Sequence, residues 1–460
     1  MTRKAIEPLE RFRGAMFGLA VGDALGAPLA GMKAGHVQQV YGPIDGFVDP
    51  AQAWEGRPHR WSRRGLYTTN TQRAMLLADV LARDHACDPQ ALVDAYLGMA
   101  EADVEGLPHG CHRRVGRALH AALGRMGARE SHPLDCGAPV PDSAAAAAIA
   151  PAGLYFASDP DPLLACAIES ALVTHRDARA VAAALAVALA VARMARDPAA
   201  FETPPGDLAR DLAAQVRGGE DLLVLRYGRH LADFGGPETA HQISDAIALL
   251  ARLLDEGDDK LAFDSIVRQA NRFAPDHEIH DPGDAFAPAG LTTALYLALG
   301  GRSFTQAVPR AVEIGREAHD AGAIVGAIVG ARDGAAMIPP AWIAGLRNAD
   351  QIDLRGESLL RGEIDYTRWR GIVDLEAEAT AEEERERRAL AALWAKKGLL
   401  VQKKPRPKQP AEEPEDEPEF APPPEVWLFE KEQEKQRRRE KERDRDKQLK
   451  RERRARKKDV

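Results

Sequence analysis

Two ladders of glycine constrain this chain more than any other feature. Gly14, Gly18, Gly22 and Gly26 recur at every fourth position in RFRGAMFGLAVGDALGAP, and Gly322, Gly326, Gly330 and Gly334 do so in DAGAIVGAIVGARDG. At 3.6 residues per turn this spacing strips the side chains from one helix face, at a cost of about 0.5–1 kcal/mol per glycine relative to alanine. A very close approach of that face to another backbone or to a ligand offsets the cost. Both ladders run beside polar residues, Asp23 on one and Glu317, His319 and Asp320 on the other. The expectation is that the two helices meet and that a site lies at their ends.

The rest of residues 1 to about 365 is patterned for helices. TQRAMLLADVLARDHACDPQALVDAYLGMA, ARAVAAALAVALAVARMARD, AHQISDAIALLARLLDEG and SFTQAVPRAVEIGREA place apolar residues at i, i+3, i+4 and i+7. No stretch alternates over a strand length, alanine is abundant, and aromatics make up 5%, which favours helix over sheet. The fold class expected is all-α, one compact multi-helix domain. Its spacing is too irregular for a repeat array.

Cys87, Cys111, Cys136 and Cys166 show no CxxC pairing and no zinc-finger spacing. Reduced thiols and a cytoplasmic location are expected. The start carries no apolar run of signal-peptide length, and the longest apolar stretch, Ala180 to Ala192, falls short of the roughly 20 residues that span a bilayer. No membrane partner is expected.

The net charge of −8 hides an asymmetry. The expected organisation is a main domain over residues 8–365, a helical extension over 366–401, a linker rich in proline and charge over 402–424, and a charged helical tail over 425–460. The linker, QKKPRPKQPAEEPEDEPEFAPPP, has too little apolar surface to fold. From Lys431 onward basic residues are roughly twice as frequent as acidic ones. That composition fits either a solvated helix with i,i+4 pairs or a tether to nucleic acid or an acidic partner through residues 431–460.

Five stretches, in order, resemble the ADP-ribosylglycohydrolases, the family of the enzyme that reactivates dinitrogenase reductase. They are GAMFGLAVGDALGAP from Gly14 to Pro28, YTTNTQRAMLLADVL from Tyr67 to Leu81, IAPAGLYFASDPD, LVTHRDARAVAAALAVALA, and EAHDAGAIVGAIVGARDG followed by IPPAWIAGL. The second falls where the family has Trp-Thr-Asp-Asp-Thr, and the last where it has Asp-x-Asp-Thr. The resemblance implies an all-helical fold, an ADP-ribose-like small-molecule ligand, and a pair of magnesium ions held by those two motifs.

This chain departs from the family at the ligand positions. Thr68 and Thr71 keep the threonines, but Thr69 and Asn70 stand where the two aspartates belong. Glu317, His319 and Asp320 stand for the first aspartate, the second aspartate and the threonine of the last motif. Leu29 and Ala30 follow GDALGAP where relatives have Val-Glu, so a glutamate given a catalytic role in relatives is missing. Two dications bring four positive charges, and of the matched positions Glu317 and Asp320 alone are anionic. Desolvating so poorly compensated an ion pair costs several kcal/mol. The expectation is therefore no binuclear magnesium cofactor and at most one ion, magnesium or manganese, at Thr68, Glu317, His319 and Asp320. His319 favours a softer metal such as manganese or zinc.

The candidate ligand-binding residues are Gly22, Asp23, Thr68, Asn70 and Thr71. Glu317 and Asp320 are the catalytic candidates if hydrolysis survives. Asp23 either supports the site from a helix end, as the resemblance implies, or bonds loop amides. DHEIHDPGD, from Asp276 to Asp284, invites a metal reading that its prolines and spacing oppose. Ala144 to Ala148 lies where relatives carry an Asn-Gly and a Met-Arg pair, so that wall is expected to be smooth and apolar. His175 is expected to be structural, with Thr174 or Asp177 capping the next helix. Three functions stay open: a catalytically impaired binder of ADP-ribose or a related nucleotide, or a scaffold; a hydrolase of N- or O-glycosidic ADP-ribose links with a rebuilt site; and a tether acting through the tail.

Overall fold

The two ladders face each other. The helices Pro8–Gly26 and Ala318–Asp333 run antiparallel in the computed structural model, pairing Gly14 with Gly330, Gly18 with Gly326 and Gly22 with Gly322. A Cβ added at Gly18 would fall 2.7 Å from the carbonyl carbon of Gly326 and closer still to its oxygen, and the reverse substitution meets Gly18 in the same way. Backbone touches backbone along the seam, which accounts for the glycines. The structure describes residues 6–128, 131–197, 202–232, 236–274 and 277–401. The linker and charged tail expected over 402–460 lie outside the described residues, as does Asp276.

Around the seam the fold is helical throughout, and no strand occurs among the described residues. Ala287–Leu299 and Phe304–Glu313 pack on one side of the second ladder helix, and Ala349–Arg361 packs on the first. The alanine-rich helix Ala178–Arg196 touches both ladders. It is longer than its apolar stretch suggested and passes the length and composition test for a bilayer span, yet 89% of that window is buried in the protein. Small side chains on every face let it serve as a core helix with neighbours all round. Arg11 crosses the far end of the seam, donating 2.6 Å to the carbonyl of Met194. All four cysteines are free thiols; Cys87 is half-buried and the other three are buried.

The helix Ile372–Lys396 packs against this body through a buried ionic network. Glu376 is fully buried and accepts from the Tyr67 hydroxyl at 2.6 Å, the Gln72 amide at 2.8 Å and the Arg113 guanidinium at 2.5 Å. Tyr67 and Gln72 bracket the Thr68–Thr71 motif, so this late helix grips the motif from behind.

Candidate functional site

The antiparallel seam brings the C-terminal end of the first ladder helix beside the N-terminal end of the second, and the motif Thr68–Thr71 is set against both. Thr68 caps the helix Thr69–Asp84, its hydroxyl accepting from the Asn70 N–H at 3.2 Å. Asp23, fully buried in the last turn of its helix, accepts from the N–H of Thr68 and of Thr71, both at 3.0 Å, and from their hydroxyls at 2.8 and 2.7 Å. Four donors on one carboxylate fix the start of a second helix. Both readings of Asp23 thus meet in one geometry: it bonds amides, and those amides belong to the motif. Gly22, beside it, is pressed against the Gly322 carbonyl.

Asn70 points the other way. Its amide nitrogen donates to Oδ1 of Asp320 at 2.8 Å, and Ser143 Oγ lies 3.5 Å from Oδ2. In this arrangement the amide presents its N–H to the position between the motifs. Burial, followed by the negative charges of Asp142 and Asp23, outweighs the Asn70 bond and pushes the Asp320 carboxyl up to about 7. Burial also raises Glu317, with Asp320, Asp142 and Asp284 adding to the rise and His319 opposing it. His319 Nε2 stands 3.4 Å from Asp320 Oδ1, and Nδ1 stands 3.9 Å from Glu317 Oε2. Ligand atoms from Glu317, His319 and Asp320, one from each, lie within 4.8 Å of one another.

Two further acids lie beside these residues: Asp142, which sequence reasoning did not single out, and Asp284, which it named only as the end of a stretch whose metal reading it set aside. Asp142 immediately precedes the alanine run, and its Oδ1 accepts from His175 Nε2 at 2.8 Å and from the Ala144 N–H at 3.1 Å. Burial would raise its carboxyl, but His175 and the Ala144 amide prevail and hold it below the usual carboxylate range. The alanine run itself is apolar, with Ala145 to Ala148 buried, and a carboxylate and the Ser143 hydroxyl immediately precede it. Asp284 comes from the DHEIHDPGD stretch, whose second half runs beside both other segments: the Glu317 N–H donates to the Gly283 carbonyl at 3.2 Å, and the Ser143 N–H to that of Ala285 at 3.2 Å. The signal was present in the residue types, but the pairing of distant loops was not.

His175 is buried as expected, its Nδ1 2.8 Å from Thr174 Oγ1, and Asp177 caps the following helix through the Arg179 N–H at 2.9 Å. Arg73 lies near Asp142 and Asp320 and donates to the Tyr96 hydroxyl, the Ala144 carbonyl and Thr174 Oγ1.

Comparison with known proteins matches about three quarters of the chain. A family model described as ADP-ribosylglycohydrolase matches residues 4–368. An uncharacterized protein of Archaeoglobus fulgidus is 25% identical over 346 residues, covering 75% of this chain and 94% of that protein. A solved structure described as an ADP-ribosylglycohydrolase-related protein complex superposes with a TM-score of 0.52 at 25% identity, over 78% of this chain and 99% of that one.

Proposed function

Because the chain belongs to the ADP-ribosylglycohydrolase family, we propose that it binds ADP-ribose or a closely related nucleotide in the cleft between Asn70, Asp142 and Glu317, with the family's magnesium-dependent hydrolysis impaired. The observation that carries this reading is the Asn70 amide, which fills with an N–H donor the place opposite Asp320 where the motif has a carboxylate.

The donor set does not fit two magnesium ions. Asp23 spends both oxygens on four donors, and the Thr68 and Thr71 hydroxyls donate their protons to it, which leaves them neutral oxygens that add no charge. Glu317, Asp320, Asp142 and the nearby Asp284 remain as carboxylates, with Oδ1 of both Asp142 and Asp320 already engaged, against the six oxygens each magnesium ion requires. No hydrolytic step through such a pair is built from these residues. What they retain suits a sugar hydroxyl: Glu317 and Asp142 supply acceptors, and Ser143 supplies both a donor and an acceptor.

A second reading, metal-independent hydrolysis, is favoured by the split between Asp142, held low, and Glu317, raised. Two carboxyls pushed in opposite directions by their surroundings are the starting arrangement that glycosidic cleavage uses. Calorimetric titration of ADP-ribose into the full chain, with magnesium and again with chelator, tests the main reading. Binding in both buffers without release of ribose from an ADP-ribosylated substrate is the expected result. Absence of binding at millimolar ligand contradicts it. Turnover that Glu317→Ala abolishes would instead establish the second reading.

A further inference from the structure

We propose that Cys87 and Cys166 are a reversible redox pair, oxidised to an internal disulfide by a low-molecular-weight disulfide of the glutathione type, and that this bond clamps the helix of the Thr68–Thr71 motif to the helix that leads to His175. It stands apart from the nucleotide reading, since Cys87 lies beyond the far end of a 16-residue helix from Thr68.

The two sulfurs converge on one oxygen. Cys87 Sγ stands 3.2 Å and Cys166 Sγ 3.8 Å from Ser170 Oγ, and Cys87 Sγ lies 3.7 Å from the Cys166 carbonyl oxygen, although the two residues are 79 apart in the chain. A disulfide needs Cβ atoms about 3.5–4.5 Å apart. Sulfurs packed on one hydroxyl, one of them against its partner's own carbonyl, reach that by side-chain rotation and a small movement of the connection that carries Cys87. That connection is short, running from His85, which is left-handed at φ 54°, to Asp88, which caps the next helix. The other two cysteines are placed differently. Cys111 and Cys136 each bond a backbone carbonyl, of Met99 at 3.3 Å and of His132 at 3.7 Å, and the groups that shift their thiols include no second cysteine.

Exposure sets the order of events. Cys87 is half-buried and Cys166 is buried. Burial raises the Cys166 thiol well above its usual value, with Cys87 and Glu169 adding to the rise and Ser170 opposing it, so Cys166 is a poor nucleophile toward solutes. Cys87 therefore acts first: it loses its proton to water and attacks one sulfur of the small disulfide, whose S–S bond breaks, and the departing thiolate takes up a proton. In the mixed disulfide Cys87 no longer opposes ionisation of Cys166, which gives up its proton, attacks Cys87 Sγ and expels the second small thiol. A protein dithiol and a small disulfide become a protein disulfide and two small thiols, with two electrons passed to the small molecule.

Position gives the bond its effect. Cys87 follows helix Thr69–Asp84, whose first turn is held by Asp23. Cys166 lies in helix Pro160–Leu172, which runs into Thr174 and His175, and His175 Nε2 holds Asp142 Oδ1 at 2.8 Å. A covalent tie between these two supports restrains the local opening that would let the motif and Asp142 separate.

The full chain, reduced and then incubated with oxidised glutathione, is denatured with a thiol-blocking reagent, its free thiols are counted and its linked peptides are read by mass spectrometry. Two of the four thiols should disappear into one bond joining Cys87 to Cys166, with no glutathione retained, and dithiothreitol should restore all four. Cys166→Ser should stop at a glutathione adduct on Cys87, and Cys87→Ser should keep its remaining thiols. No loss of thiols in the wild type, a lasting glutathione adduct on Cys87 without an internal bond, or a bond that includes Cys111 or Cys136 would overturn the pair. Hydrogen exchange then tests the clamp: amides of residues 69–84 and 174–177 should exchange about three-fold or more slower in the oxidised wild type than in the reduced one, with no such difference in Cys87→Ser. Equal exchange in the two wild-type states would overturn the clamping role.

Discussion

The glycine seam and the polar cleft at its end lie on the same pair of helices and hold together by opposite means. Along the seam, Gly14, Gly18 and Gly22 press on the carbonyls of Gly330, Gly326 and Gly322, with no side chain between. No other residue fits there, since a single methyl group would strike backbone that cannot rotate away. At its end, side chains make the contacts: Asp23 holds Thr68 and Thr71, and Asn70 reaches Asp320. Backbone packing therefore fixes the fold while the chemistry at its end is free to differ. That is why family membership leaves catalysis undecided here.

The sharpest way to break the comparison is to put bulk into the seam. Gly18→Val should cost about 3 kcal/mol or more, enough to abolish a cooperative thermal transition, because it forces the two backbones apart. A variant that melts like wild type would show that the seam is not the rigid element. Next in size is Glu376→Gln. Removing one partner of the buried pair with Arg113 should destabilise by about 3–5 kcal/mol in urea unfolding and loosen the Thr68–Thr71 motif. A loss below about 1 kcal/mol would mean that the late helix does not brace the cleft.

On the polar side, pH sharpens the contrast. The Asp320 carboxyl titrates near 7 in the folded protein, against about 3.9 in an unfolded chain. A folded value raised in this way contributes stability that is fully present below about pH 4 and lost as pH rises through 7. Asp320→Asn should flatten that loss and, measured in chelator, stabilise the chain above pH 7 by about 1–3 kcal/mol. An unchanged pH profile would place the proton elsewhere. The smallest effect belongs to Asn70→Asp, which swaps a hydrogen bond for a like charge 2.8 Å from Asp320. It should cost about 1–2 kcal/mol in chelator, recovered on adding divalent cation.

Much of the fold was legible in the sequence for the same reason that the seam is rigid. Glycine at every fourth position of Gly14–Gly26 and Gly322–Gly334 has few physical explanations, and its pairing followed from there being two such faces. Asp23, Asn70 and Asp320 were singled out from the sequence, and in the structure Asp23 binds Thr68 and Thr71 while Asn70 binds Asp320. Asp142 and Asp284 were not legible as part of the site. They sit on loops joined by an isolated antiparallel bridge, Ser143 to Ala285 and Ala287 to Pro141, with Glu317 bonded to Gly283 alongside, and no periodicity announces such a pairing. The role of Glu376 was hidden for a different reason. A glutamate in an acidic, exposed-looking helix is indistinguishable in sequence from its neighbours until Tyr67, Gln72 and Arg113 close on it.

The measurement that bears most directly on the separation of fold from chemistry is magnesium titration of the full wild-type chain beside the Thr69→Asp, Asn70→Asp double variant, read by calorimetry. The wild type should take up no pair of magnesium ions at millimolar concentration, while the double variant, with two carboxylates returned to the motif on an unchanged seam, should gain magnesium binding. Two magnesium ions bound to the wild type at micromolar concentration would contradict the account.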